Sequence, residues 1–289
     1  MKQYQKNKLW LWLVTALTVL AVLGSVLLTG LRGNNRVALQ DIPAFSGESY
    51  AVVEGNVPGF TDKELTTYAY EYYSELDWLG RCGYAMACIG AELMPTEERQ
   101  SIGQVKPTGW QLSKYDFVDG KYLYNRCHLI GFQLTGENAN ERNLITGTRY
   151  LNVQGMLPFE DMVADYIRAT DNHVLYRVTP IFEGDNLLAS GVQMEARSVE
   201  DGGLGICFNV YVYNCQPGVI INYATGENEP APVAEGEPES FVLNTSSKRF
   251  HLENCDAVGT MSEKNKEYYE GNRQALLDMG YTPCGSCKP

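Results

Sequence analysis

Tyr124-Asn125-Arg126-Cys127-His128-Leu129-Ile130 is the stretch on which the reading of this chain turns. It sets one of only three histidines between apolar neighbours, where a histidine is by default a satisfied structural residue. The reading shifts when the following segment is added. Asn143 opens Asn-Leu-Ile-Thr-Gly-Thr148, Asn152 lies on the helix predicted next, and Glu160 stands eight residues beyond it. A histidine followed by this series of amide and carboxyl side chains is a candidate site and no longer a bare core position.

Outward from this stretch, apolar residues recur at helical spacing from about Thr148 to Ala169, interrupted at Leu157-Pro158. That break predicts two helices in succession, with Pro158 in the first turn of the second, where a missing N–H does no harm. Val174–Phe182, Leu187–Ala196, Ile206–Tyr213 and Val219–Tyr223 are rich in Val, Ile and Tyr and separated by Glu183-Gly-Asp185 and Asp201-Gly-Gly203. This is the pattern of an antiparallel meander. Upstream, Thr61 and Glu64 read as a capping box opening a helix over Pro58–Asp77, with Leu65, Tyr68, Tyr72 and Leu76 at helical spacing. Leu79–Trp110, rich in Gly and Pro, reads as irregular structure with short strands. The fold class is α+β.

Asn125-Arg126-Cys127-His128, then Asn143-Leu-Ile-Thr-Gly-Thr-Arg-Tyr-Leu-Asn152, then Met156-Leu-Pro-Phe-Glu160 resembles the His-Me finger (ββα-metal) nucleases. The likeness is to the DNA/RNA non-specific endonucleases and their streptococcal DNA-entry nuclease branch, and it spans about residues 50–226. It implies an antiparallel sheet carrying a ββα-metal finger. His128 would be the general base, oriented by a backbone carbonyl. Asn152 would be the one direct protein ligand of Mg²⁺ or Mn²⁺, with Glu160 supporting it. Asn143 would fix the histidine or the scissile phosphate, and Arg126 would neutralise charge there. A site of this kind contacts phosphates and not base edges, so little sequence preference is implied. The family pattern is Asp-Arg-Gly-His. Here Asn125 replaces the carboxylate, which alters the field around His128, and Cys127 puts a side chain where the pattern has none.

Lys2, Lys6 and Lys8 precede an uncharged run from Leu9 to Leu31, which at about 1.5 Å per residue is long enough to cross a hydrocarbon layer of about 30 Å. The run reads as a signal anchor with its N-terminus in the cytoplasm and the body of the chain outside. Cleavage as a signal peptide, which would release a secreted protein, is the rival. The formal net charge of −12 argues against a protein that coats nucleic acid by bulk positive charge, though not against a local basic cleft. Lys106, Lys114, Lys121, Arg142 and Arg149 are candidates for such a cleft, and Arg177 and His173 are strand and turn positions of open orientation. Eight cysteines in an extracellular setting allow disulfides, but connectivity is not legible.

The resulting organisation is an anchor at 1–31, a linker at 32–57, a catalytic domain at 58–226, an acidic Pro-rich linker at 227–240 and a small module at 241–289. In that module His251-Leu-Glu-Asn-Cys255 and Cys284-Gly-Ser-Cys287 pair HxxxC with CxxC across 28 residues, a donor set suited to tetrahedral Zn²⁺. Its text resembles the small Ada-like metal-binding modules. The cluster's expected role is structural, with a disulfide as the rival to zinc. The function expected is metal-dependent, largely non-specific cleavage of extracellular DNA, or of RNA as well, at the cell membrane. The alternatives are a membrane-tethered DNA-binding or uptake receptor without catalysis, and a surface protein that acts through its C-terminal module.

Overall fold

The computed structural model describes residues 36–232 and 239–289. The described chain falls into two compact units: one takes in residues 36–111, 124–215 and 223–226, the other 112–123, 216–222, 227–232 and 239–289. The expected membrane anchor and residues 233–238 of the acidic linker lie outside the described residues. No described helix is long and apolar enough to cross a membrane.

The first unit carries, in chain order, β1 (Tyr50–Val52), β2 (Tyr70–Tyr73), β3 (Ala85–Ile89), β4 (Tyr124–His128), β5 (Leu144–Thr148), β6 (Val174–Ile181), β7 (Gly191–Ser198) and β8 (Cys207–Tyr213). Its helices are α1 (Phe132–Thr135) and α2 (Leu157–Thr170), the latter preceded by a π-turn over Leu151–Met156. Strands β6, β7 and β8 form the meander read from the Val/Ile/Tyr runs, and they centre an antiparallel sheet of order β1-β8-β7-β6-β3-β2. Pro158 sits in the first turn of α2, as its missing N–H requires.

Both faces of the sheet are covered, so its central strands are buried almost throughout. On one face Val174, Tyr176, Val178, Val192, Met194 and Ala196 pack under Phe159, Val163, Ala164 and Ile167 of α2 and under Cys127, Leu129 and Ile145. The opposite face carries a polar row in register: Arg177, Glu195 and Asn209. Arg177 Nε donates to Glu195 at 2.8 Å, and both side chains are buried.

The chain from 36 to 64 covers that row. Val37 N donates to Gln193 Oε1 at 2.8 Å, Gly59 N to Glu195 Oε1 at 2.7 Å, and Asn209 Nδ2 to Val57 O at 2.8 Å. The stretch expected as a linker is therefore, from residue 36 on, part of the first unit. Its polar backbone is what satisfies the buried side chains of the sheet. The helix expected over Pro58–Asp77 does not form. Thr61 and Glu64 make their capping contacts around a single turn, and the chain then becomes edge strand β2, pairing Tyr70 with Cys88 and Tyr72 with Met86. Tyr68, Tyr70 and Tyr72 also alternate with period two, and strand pairing wins for β-favouring aromatics.

The second unit adds β9 (Val219–Ile221) and β10 (Asn228–Pro230), which pair with each other, so the fourth run of the expected meander leaves the main sheet. It also holds the C-terminal sheet, built from β11 (Glu239–Asn244), β12 (Arg249–Leu252), β13 (Lys266–Gly271) and β14 (Thr282–Pro283) in the order β13-β11-β12-β14. Phe241, Leu243, Phe250, Leu276 and Tyr281 form its core.

Candidate active site

Strands β4 and β5 make a hairpin in which Arg126 opposes Thr146 and His128 opposes Leu144. Side chains alternate along β4. Cys127 thus enters the core, while Arg126 and His128 share the other face. Cys127 fits because its diagonal neighbour is glycine: a side chain at Gly147 would collide with its Sγ. Burial raises the Cys127 thiol pKa. All eight cysteines are unpaired, so no disulfide flanks His128.

Asn125 faces Arg149, whose Nη1 lies 3.5 Å from the Asn125 Oδ1. The Asn125 amide oxygen is therefore engaged by Arg149 and not by the His128 ring.

His128 is buried at the end of β4. Its Nε2 lies 2.7 Å from the backbone oxygen of Asn138. A carbonyl only accepts, so Nε2 carries the proton and Nδ1 holds the lone pair, which accepts a long hydrogen bond from the Arg99 guanidinium. On the Nδ1 side, Arg99 Nη2 stands 3.4 Å away. Burial first, and the Arg99 charge second, hold the His128 pKa below the usual imidazole value, against the raising effect of the Asn138 contact.

Asn143, fully buried, does not touch the ring. Its Oδ1 accepts from Ile130 N at 2.9 Å and its Nδ2 donates to Ile130 O at 3.0 Å, while Leu129 N donates to its backbone oxygen at 2.8 Å. These bonds continue the pairing past the end of β4 and lock the chain two residues beyond His128. Arg126 turns the other way: Nη2 donates to Gly103 O at 2.9 Å, Nε to Val105 O, and the guanidinium stacks on Trp110 at 4.0 Å. It fastens the 103–110 loop.

Asn152 lies on the π-turn and Glu160 on the core side of α2. The Asn152 side chain is half-buried and makes no hydrogen bond among the described residues. Glu160 packs against the backbone of Gly131, the residue before α1. A Cβ built there would stand 2.6 Å from Glu160 Oε2. Burial raises the Glu160 carboxyl to about 8, helped by Asp161 and opposed by Arg99. Two oxygen donors without protein partners fit a hard cation that keeps much of its own hydration. Arg99 acts electrostatically on His128, Glu160 and Cys127 together. Sequence reasoning missed it, because nothing in Thr96-Glu-Glu-Arg-Gln100 signals a site.

The remaining candidate cations are engaged elsewhere. Arg142 pairs with Glu75 at 2.8 Å, and Lys121 with Asp116 at 2.9 Å. Lys114 lies 4.5 Å over the Tyr122 ring, and Arg177 is held by Glu195 on the far face of the sheet. Lys106 lines a small cavity with Val105, Thr108 and Glu141. His173 is more than a turn residue: its Nδ1 lies 2.6 Å from Glu200 Oε1 and its Nε2 3.2 Å from Glu92 Oε1.

In the C-terminal module, β12 supplies His251, the residue before the short helix α3 (Asp256–Gly259) is Cys255, and the turn after β14 brings Cys284 and Cys287. Their donor atoms lie within 4.8 Å of one another, and Cys255 Sγ is 3.6 Å from His251 Nδ1. The ligand edges of a zinc tetrahedron with Zn–S near 2.3 Å run to about 3.8 Å, so the Cys255–His251 edge matches and the set as a whole is gathered to within about 1 Å of that span. Backbone N–H groups of Cys287 and Ser286 lower the Cys284 thiol to about 7, as a thiolate ligand needs.

A family model described as DNA/RNA non-specific endonuclease matches residues 61–200. Among solved structures, NucA from Streptococcus agalactiae with magnesium ion bound superposes with TM-score 0.59 at 24% identity, covering 67% of this chain and 92% of that one. The Sda1 nuclease with bound zinc ion gives 0.53 at 25% identity, covering 64% and 97%.

Proposed function

The chain belongs to the DNA/RNA non-specific endonucleases, and on that premise we propose that it cleaves nucleic acid in a divalent-cation-dependent, largely sequence-non-specific reaction with His128 as general base. The observation that carries this reading is the His128–Asn138 bond of 2.7 Å, which fixes the tautomer and leaves Nδ1 as the basic atom. A depressed pKa keeps that nitrogen unprotonated at neutral pH.

In the reaction, His128 Nδ1 takes a proton from water as the water oxygen attacks phosphorus. The bond from phosphorus to the 3′ oxygen then breaks, that oxygen takes a proton from solvent water, and His128 returns its own proton to solvent, leaving a 5′-phosphate and a 3′-hydroxyl. The Arg99 guanidinium, beside His128, faces the charge that builds on the phosphoryl oxygens. Asn152, supported by Glu160, would hold Mg²⁺ or Mn²⁺, which when bound supplies positive charge to the phosphoryl group and the leaving oxygen. Magnesium in the NucA structure supports that choice. Asn143 and Gly131 keep His128 and Glu160 in place, and Arg126 orders the loop beside them.

The substrate we assign is extracellular DNA, with RNA accepted as well, since contacts to the backbone do not distinguish bases. Lys2, Lys6, Lys8 and the uncharged run to Leu31 support a single-pass membrane anchor with the catalytic unit outside, or secretion if that segment is cleaved. The C-terminal cluster is assigned to structural zinc.

The test is digestion of plasmid DNA by the purified full chain with Mg²⁺, beside His128→Ala and Asn152→Ala. Each variant should lose on the order of 10²–10⁴ in rate while staying folded. Wild-type protein that retards plasmid on a gel without cutting it would instead establish the receptor alternative. Variants that digest like wild type would refute the site.

A further inference from the structure

Tyr176, in the middle of β6, is the one tyrosine among the described residues whose hydroxyl is itself buried and has no hydrogen-bond partner. Buried hydroxyls are nearly always satisfied, and one that is not calls for a reason. In register, Tyr176 is flanked by Ala87 on β3 and Ala196 on β7. Two small neighbours leave the ring free to stand up from the sheet toward α2, the helix that covers this face. The core face of α2 begins with Phe159 and Glu160 and continues with Val163, Ala164 and Ile167. Glu160 is thus the one charged residue on that buried face, and it is the ionisable group that acts on the Tyr176 hydroxyl.

The Glu160 carboxyl also has no protein partner among the described residues. A buried phenolic donor without an acceptor therefore shares the face beneath α2 with a carboxyl whose oxygens reach solvent and have no protein donor. Two polar groups in that relation, beyond direct bonding distance, are suited to a bridge by a single water. We propose that Tyr176 is a positioning residue, whose hydroxyl holds the Glu160 carboxyl through one bridging water so that it faces Gly131 and the cation-binding side of the site. The role rests on the reading of Asn152 and Glu160 as the cation-holding pair. Partners of this outer kind typically change metal affinity or activity by about 10–100-fold.

The experiment uses the full chain as wild type, Tyr176→Phe, Glu160→Gln and the double variant. Binding of Mn²⁺ is followed by the loss of its free EPR signal, and thermal unfolding is recorded in buffer without added divalent cation. Tyr176→Phe should weaken Mn²⁺ binding about tenfold, and should add nothing further in the Glu160→Gln background. Their effects on Tm should be non-additive by about 2 °C or more. If Tyr176 only fills the core, Phe removes an unsatisfied hydroxyl, so Tm rises, adds simply with Glu160→Gln, and Mn²⁺ binding stays at the wild-type level. That result overturns the assignment. If wild type neither binds Mn²⁺ nor cuts DNA, the reading of the site fails, and additivity or non-additivity of the Tm shifts still decides whether Tyr176 and Glu160 are bonded.

Discussion

Replacing Gly131 by alanine is the most economical way to move one carboxyl of this site and nothing else. Gly131 has φ −60° and ψ 145°, a conformation open to any residue, so alanine meets no backbone strain. By restricting the unfolded chain it even contributes about 0.4–1 kcal/mol of stability. The cost arises from one neighbour. The new Cβ would stand 2.6 Å from Glu160 Oε2 and 2.8 Å from its Cδ, whereas ordinary contact begins at 3.4 Å. Relief therefore requires a shift of roughly 0.8 Å in the Glu160 carboxyl, which ends a flexible side chain and can give way. A displacement near 1 Å in a catalytic assembly can cost about 10²-fold in rate. Gly131→Ala should accordingly unfold within a few degrees of wild type while its Mg²⁺-dependent plasmid cleavage falls about 10- to 100-fold. Cleavage within twofold of wild type by folded protein would refute the placement of Glu160. A collapse in Tm that tracks the loss of activity would refute the claim that the clash is local.

The pH profile of kcat/KM should show an acid limb centred below about 6.5, because burial and Arg99 lower the His128 pKa and the base works only unprotonated; a limb above that value would contradict the assignment. Arg177→Met should destabilise the protein by about 3–5 kcal/mol in urea denaturation, since it leaves buried Glu195 without its countercharge. Arg177→Met combined with Glu195→Leu should recover much of that loss. His173, raised in pKa by Glu200 and Glu92, should stabilise the fold below about pH 6.5 and lose that contribution as pH rises through its raised value. The Tm difference between wild type and His173→Gln should therefore shrink toward alkaline pH. Cys284→Ser should lower bound zinc from about one equivalent per chain, measured by elemental analysis, and speed amide exchange across residues 239–289.

Much of the site's frame was legible without coordinates. The break at Leu157-Pro158 and the Val/Ile/Tyr meander are periodic over contiguous residues, and local hydrogen bonding enforces such periods, whereas the β4–β5 hairpin entered only as part of the finger that the family resemblance implies. HxxxC and CxxC likewise announced the C-terminal cluster, because few donor sets of that spacing have another use. Residues 58–77 were misread because their aromatics satisfy helical and alternating periods at once. Only the Met86–Cys88 edge of β3 decides between the two.

Sequence by itself determined which residues could be base and cation ligands and in what order they come along the chain. Tertiary structure alone decided that Arg99, and not Arg126, stands beside His128. It also decided that Asn143 locks Ile130, that Gly147 admits Cys127, and that Tyr176 rises between two alanines beneath α2. The physical reason is one of range. Periodicity reports how a residue bonds with its near neighbours, whereas the company a side chain keeps depends on strand register and on the volume left open by residues distant in the chain.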